Sequence, residues 1–229
     1  MAVNKEQYIE ITNALQHKAI LVAVSKTKPA EDIQALYNLG QRHFGENYVQ
    51  ELVAKQPQLP ADIHWHFIGH LQSNKVKQIA PFVFLIHGVD SLKLLQEIDK
   101  QAKKLDKNIQ VLLQVHIAKE ETKFGFSENE LDDLFNTAGN ELSALQNIQI
   151  KGLMGMASFT QDTALIAAEF SYLKSLFDKY AALPINERGE TLPFEYLSMG
   201  MSSDYQLALQ YSSTMVRIGS LLFGERKQE

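Results

Sequence analysis

The sequence predicts an α/β protein folded as one closed (β/α)8 barrel of the TIM type, with an additional N-terminal helix. Strand-like apolar runs and stretches of helical period alternate eight times along the chain, which is the pattern of βα units wound into a parallel sheet. The length of 229 residues suits such a barrel as a single domain over residues 1–229. The first strand leads into Ser25-Lys26-Thr27-Lys28-Pro29. A doubly wound open sheet, the second architecture that alternation allows, usually carries a Gly-rich G-x-G-x-x-G turn at that point.

Residues 4–17 carry Tyr8, Ile11 and Leu15 on one face and read as the amphipathic front helix. The first strand is the continuous apolar run over 19–26, as expected of a strand buried on both faces. Pro29 opens the next helix, with Glu31 and Asp32 against its dipole, Ile33, Leu36 and Tyr37 on its buried face and Gly40 at its stop. The second strand is 43–47, the third 63–70 and the fourth 82–89, with helices over 48–55 and 73–79 between them. Asp90 or Ser91 caps a helix whose stripe is Leu92, Leu95, Ile98, Ala102 and Leu105. The fifth strand is 109–117. A polar loop over 118–126 follows, then a helix from Ser127 with Glu130 placed for a capping box. The sixth strand is 150–157. The longest helix runs over 162–182 with Leu165, Tyr172, Leu173, Leu176, Phe177 and Tyr180 in phase. A polar loop over 184–193 leads to the seventh strand, 194–199. Ser202 or Ser203 caps a helix to Tyr211, and the eighth strand is 215–220.

Composition removes several classes of function. Lys and Arg total 22 against 27 Asp and Glu, a net charge of -5, so the chain lacks the basic footprint of a nucleic-acid or anionic-membrane binder. It has no cysteine, which excludes disulfides, thiolate metal sites and a cysteine nucleophile. The N-terminus is polar and has no signal-peptide core, and no window reaches the roughly 18 apolar residues of a membrane span. A cytoplasmic protein is expected.

In a barrel of this kind the site lies at the C-terminal ends of the strands. Lys26 sits at the end of the first. Burial and the nearby cation Lys28 both favour loss of its proton, which would make it a nucleophile toward aldehydes; the alternative is a lysine that marks a strand end and points to water. Ser198-Met199-Gly200-Met201-Ser202-Ser203 and Gly219-Ser220 fall after strands seven and eight, where barrels bind phosphate through backbone N–H groups and hydroxyls. Read otherwise, they are an ordinary serine cap and turn. Arg217 stands in an otherwise apolar strand and either faces a polar cavity or lies outward against a helix carboxylate. Met154, Met156, Met199 and Met201 line an apolar wall or fill core. His64, His66 and His70 do not make a metal set, and each reads as structural or exposed. No metal site is expected.

Several segments together resemble a known family. They are Val22-Ala23-Val24-Ser25-Lys26-Thr27-Lys28-Pro29, Phe44-Gly45-Glu46-Asn47-Tyr48, the run from His64 to Lys75, Gly152-Leu153-Met154-Gly155-Met156, the run from Leu197 to Asp204, and Val216-Arg217-Ile218-Gly219. In this order and spacing they resemble the pyridoxal-5′-phosphate (PLP) homeostasis proteins, the YggS/PROSC family, across nearly the whole chain. The resemblance implies a barrel like the N-terminal domain of alanine racemase, with Lys26 holding PLP as a Schiff base. It further implies phosphate binding by Ser198, Met199, Gly200, Ser202, Gly219 and Ser220, Arg217 facing the pyridine nitrogen, and Asn47, Met154 and Met156 lining the cofactor. One departure is local: Lys123-Phe124-Gly125-Phe126 is richer in aromatics than the family pattern.

The resemblance implies a carrier that binds PLP and passes it on, transiently meeting apo forms of PLP-dependent enzymes, with no catalytic residues and no established reaction; a monomer is expected. An arginine at the pyridine nitrogen opposes its protonation and weakens the ring as an electron sink. The alternative is a PLP-dependent amino-acid racemase-like enzyme. Racemisation needs an acid/base on each face of the substrate, and Lys26 supplies one while the sequence offers no second. The chain ends nine residues after Ser220, which leaves no room for the β domain that alanine racemase adds.

Overall fold

The computed structural model describes residues 3–120, 124–136, 139–183 and 194–224. The first two residues, Lys123 and the loop expected over 184–193 lie outside these described residues. The eight strands are β1 (Ile20–Val24), β2 (His43–Glu46), β3 (His64–Phe67), β4 (Leu85–Val89), β5 (Ile109–Val115), β6 (Ile148–Gly155), β7 (Tyr196–Ser198) and β8 (Met215–Ile218). They close into a parallel barrel in sequence order, and β1 pairs with β8 through Ile20 with Met215 and Val22 with Arg217. The expected (β/α)8 barrel is therefore the fold.

The front helix α1 (Lys5–Leu15) starts on Asn4, whose side chain accepts from Gln7 N–H. Between the strands lie α2 (Ala30–Asn38), α3 (Val49–Lys55), α4 (Val76–Ile79), α5 (Leu92–Lys104), α6 (Glu128–Asn136), α7 (Gly139–Ser143), α8 (Thr163–Ala181) and α9 (Tyr205–Gln210), with α10 (Ser220–Phe223) after β8. Ser91 caps α5 and Asp162 caps α8. The capping box before α6 is complete: Glu130 N–H donates to Ser127 Oγ, and Ser127 N–H and Oγ donate to Glu130 Oε2.

Several strands are shorter than the apolar runs suggest. β1 ends at Val24, because Ser25 to Lys28 form a turn in which Lys28 N–H donates to Ser25 O and Thr27 adopts φ 63°. β8 ends at Ile218, since Ser220 already starts α10. β6 begins at Ile148, two residues early, extending its pairing with β5 through Ile148 and Gln149. The helix expected over 73–79 opens as a 3₁₀ turn, Ser73–Lys75, before α4. On α8 the buried face includes Ile166, Glu169 and Phe170, whereas Tyr172 is exposed.

The core has two shells. Strand residues such as Phe44, Trp65, Leu113 and Leu153 meet the helices outside the barrel, whereas Val22, Leu85, Leu112, Met154 and Met215 pack together as a separate inner cluster. The aliphatic filling usual in such barrels covers only part of the interior. A column of histidines takes another part.

Candidate functional site

A cavity of about 570 Å³ opens among the residues that follow the strands, on the face where barrels place their sites. Lys26 enters it from the β1 turn, Asn47 from the end of β2 and Met156 from the end of β6. Ser202 and Ser203 enter from the loop after β7, and Arg217, Gly219 and Ser220 from β8 and the start of α10. Two lysines and an arginine, Lys26, Lys28 and Arg217, enter a lining whose described residues include no carboxylate. On a chain of net charge -5, that is a local preference for an anion.

The turn carrying Lys26 is held from beneath. A threonine at φ 63° is costly, because its branched Cβ crowds the backbone in the left-handed region. Thr27 stays there with its N–H donating to Glu51 Oε2 at 2.7 Å. Lys55, near the end of α3, donates to Glu51 Oε2 and Glu46 Oε1, both at 2.8 Å, and to Ser25 O at 3.0 Å. Ser25 Oγ donates to Glu46 Oε1 at 2.7 Å. Burial pushes the Glu46 carboxyl up, against the opposing pull of Lys55. At Glu51 burial also pushes upward, but the bonds from Lys55 and Thr27 win and hold it below the usual carboxylate range. A buried ionic cluster thus fixes the residues on either side of Lys26.

Arg217 is buried, and three neutral oxygens accept from it: Ser198 O at 2.8 Å, Ser198 Oγ at 2.7 Å and Gly155 O at 3.0 Å. Burial lowers it to about 10, with the charge of Asp204 acting the other way. The histidine column runs on from Ser198. His87 Nδ1 lies 3.2 Å from Ser198 Oγ, His66 Nδ1 2.8 Å from His87 Nε2, and His43 Nδ1 2.9 Å from His66 Nε2. His64 Nδ1 follows at 3.4 Å from His43 Nε2. Burial, reinforced by Arg217 at His87 and by the neighbouring histidines at His66, puts both rings well below the usual imidazole range. His43 is lowered to about 4, first by burial and then by His64.

The two segments expected to cradle phosphate are stitched together. Gly200 turns at φ +94° and lies so close to α9 that a Cβ would fall 2.7 Å from the Ala208 side chain. Its carbonyl accepts from Arg217 N–H at 2.9 Å, and Gly219 N–H donates to Ser202 Oγ at 3.3 Å. Asp204 Oδ1 accepts from Met201 N–H at 2.6 Å and pins the loop. Asn47 is set by Gly69, whose backbone runs so near that a Cβ would fall 2.3 Å from Asn47 O. Asn47 Oδ1 is buried and has no hydrogen-bond partner.

Of the residues singled out from sequence, Lys26, Asn47, Met156, Ser202, Arg217, Gly219 and Ser220 meet at the cavity. Met154, Ser198, Met199 and Gly200 lie outside its wall. Met154 packs in the inner cluster, Ser198 is spent on Arg217 and His87, and Met199 packs toward the helices. Gly200 shapes the loop from behind. Lys28 adds its charge to the cavity while Nζ donates to Phe223 O at 2.9 Å, which ties the β1 turn to α10. Sequence reasoning missed Ile68 and Phe159 in the lining, and Phe159 is 91% exposed at the rim. It also missed the histidine column, although His43, His66 and His87 fall on three consecutive strands and share the inward phase.

The sequence matches the family described as alanine racemase, N-terminal domain, over residues 5–227. A pyridoxal phosphate homeostasis protein of Aquifex aeolicus is 40% identical over 210 residues, 91% of this chain and 88% of the relative. Its counterpart in Synechocystis is 39% identical over 222 residues, 96% of this chain and 97% of the relative. The chain belongs to the pyridoxal phosphate homeostasis protein family. Within that sequence neighbourhood, PipY of Synechococcus elongatus has been solved with PLP bound; it is 36% identical, with a TM-score of 0.83, and the match covers 96% of this chain and 99% of PipY. Alanine racemase of Clostridium difficile shares the barrel at 17% identity and a TM-score of 0.69, and the match takes in 97% of this chain and 59% of the racemase. The homeostasis family is thus the nearer likeness, and the racemase comparison bears on the fold alone.

Proposed function

We propose that this protein binds pyridoxal 5′-phosphate on Lys26 and passes it on to apo forms of PLP-dependent enzymes, acting as a monomeric carrier in the cytoplasm. The observation that carries the reading is the cavity itself, where Lys26, Lys28, Arg217 and the serines of two loops line one space with no described carboxylate. The orphaned Asn47 Oδ1 adds a buried acceptor that a ligand donor would satisfy. Bound PLP would supply an electrophilic aldehyde, and Lys26 is the amine that would hold it. Ser202, Ser203, Ser220 and the first N–H groups of α10 take the phosphate. Arg217, held by Ser198 and Gly155, would present a fixed positive charge to the ring nitrogen and disfavour its protonation.

The described lining contains no His, Tyr, Asp or Glu to serve as the second acid/base that racemisation needs, which favours a carrier over a racemase. Among the described residues no helix is long and apolar enough to cross a membrane. The test is to mix purified protein with PLP, look for a visible absorbance band, reduce with borohydride and map the modified lysine. Wild type gains the band and carries the adduct on Lys26, whereas Lys26→Ala shows neither. Transfer is then read as activation of an apo-enzyme in the presence of a trap for free PLP. No band and no adduct in the wild type sinks the proposal.

A further inference from the structure

The barrel interior holds a feature that attachment to Lys26 does not use, the column from Ser198 through His87, His66 and His43 to His64. Its hydrogen positions follow from Arg217. A guanidinium has donors and no acceptor, so Ser198 Oγ accepts from it. The serine hydroxyl then has one proton to give, and His87 Nδ1 is the acceptor in reach. His87 therefore carries its proton on Nε2 and donates to His66 Nδ1; His66 does the same to His43 Nδ1, and His43 to His64 Nδ1. The opposite order would aim both Arg217 and His87 at Ser198 Oγ and deprive the buried hydroxyl proton of its acceptor at His87. A charged imidazolium would break the sequence of one donor and one acceptor per ring, and His66 and His87 are fully buried.

We infer that Arg217 poles this column in one direction, and that His87, His66 and His43 act as positioning residues for the guanidinium. Every ring turns a lone pair toward the arginine, so the negative ends of four dipoles, those of Ser198 and three histidines, face a buried cation. Each ring packs on the next: His66 lies 5.1 Å from His87 and 5.2 Å from His43, centroid to centroid. Phe84 packs against both His43 and His66 at the lower end. The column thus gives Ser198, the residue on which Arg217 rests, a fixed hydroxyl direction.

The bearing of the column on a cofactor rests on the proposed role of Arg217, but the column can be tested with none added. In protein labelled with 15N on histidine and arginine, wild type at neutral pH should show His43, His66 and His87 as Nε2–H tautomers, with separate signals for the two Nη groups of Arg217. Arg217→Met should release the direction and bring a second tautomer into His87 and His66. His66→Gln, which keeps a donor and an acceptor, should retain the separate Nη signals, whereas His66→Phe should average them. An Nδ1–H tautomer or an imidazolium at His66 or His87 in the wild type overturns the inference. So does an unchanged tautomer in Arg217→Met, and so do separate Nη signals in His66→Phe. If His66→Phe does not fold, the wild-type and Arg217→Met spectra still decide. A protein that passes these tests and gains no visible band with PLP would overturn the cofactor proposal alone.

Discussion

Lys55 is the single residue on which most of the local order around Lys26 depends. Its ammonium is shared by Glu46, Glu51 and the carbonyl of Ser25, and Glu46 is fully buried. Lys55→Met removes the cation and leaves two carboxyls behind, one without any route to water. The expected loss is about 3–5 kcal/mol in urea unfolding, the usual result of breaking one side of a buried pair. Adding Glu46→Gln should return part of it, because the buried charge is then gone as well. A loss in the single variant below about 1 kcal/mol would mean that the cluster is solvated and holds nothing in place. In sequence the cluster is four ordinary polar residues: Ser25, Glu46, Glu51 and Lys55 come from three segments, and only Glu51 and Lys55, four apart on α3, are connected by spacing. Lys26 was legible because it sits at the end of an apolar run. Its supports were not, since a buried ion pair leaves no periodic trace.

Among the elements, those governed by local rules were the ones legible in sequence. Ser127 and Glu130 announce the start of α6 by spacing alone, and the reciprocal bonds are present. Ser127→Ala should cost about 1 kcal/mol, read as a lower denaturant midpoint with an unchanged slope, and the far-UV spectrum should stay the same. A midpoint equal to wild type would show that the box adds nothing to α6. Strand ends were less legible because apolar residues continue past the last ladder bond. Met156 is an example: it looks like strand and instead lines the cavity beyond β6. Part of the apparent excess length of the strands was therefore cavity lining, seen as hydrophobicity. The histidines failed for another reason. A lone inward histidine in a strand looks the same whether it meets aliphatics or another histidine, and the contact is set by register between β2, β3 and β4.

For the whole molecule, the buried column sets the response to acid. His66 and His87 lie well below the ordinary imidazole range when folded, and His43 falls to about 4, whereas in the unfolded chain each titrates near about 6.5. Below that value the unfolded state binds more protons. Stability is thus complete above about pH 6.5 and is lost as the pH falls toward the folded values, by up to ~1.4 kcal/mol per pH unit for each buried histidine. Glu46, raised by burial, acts in the opposite sense at lower pH. Denaturant unfolding at pH 7 and at pH 5 should therefore differ by several kcal/mol, and equal values would show that the rings are protonated in the folded protein. The seam of the barrel has a consequence for the order of events in the cell. β1, which leads to the lysine, lies beside β8, which carries the arginine, and Lys28 reaches a carbonyl 195 residues further along the chain. A ribosome makes the lysine well before the strand that completes the cavity. Until that strand docks, Lys26 and Arg217 share no cavity, so connectivity alone makes the anion-preferring space a property of the finished barrel and not of the nascent chain.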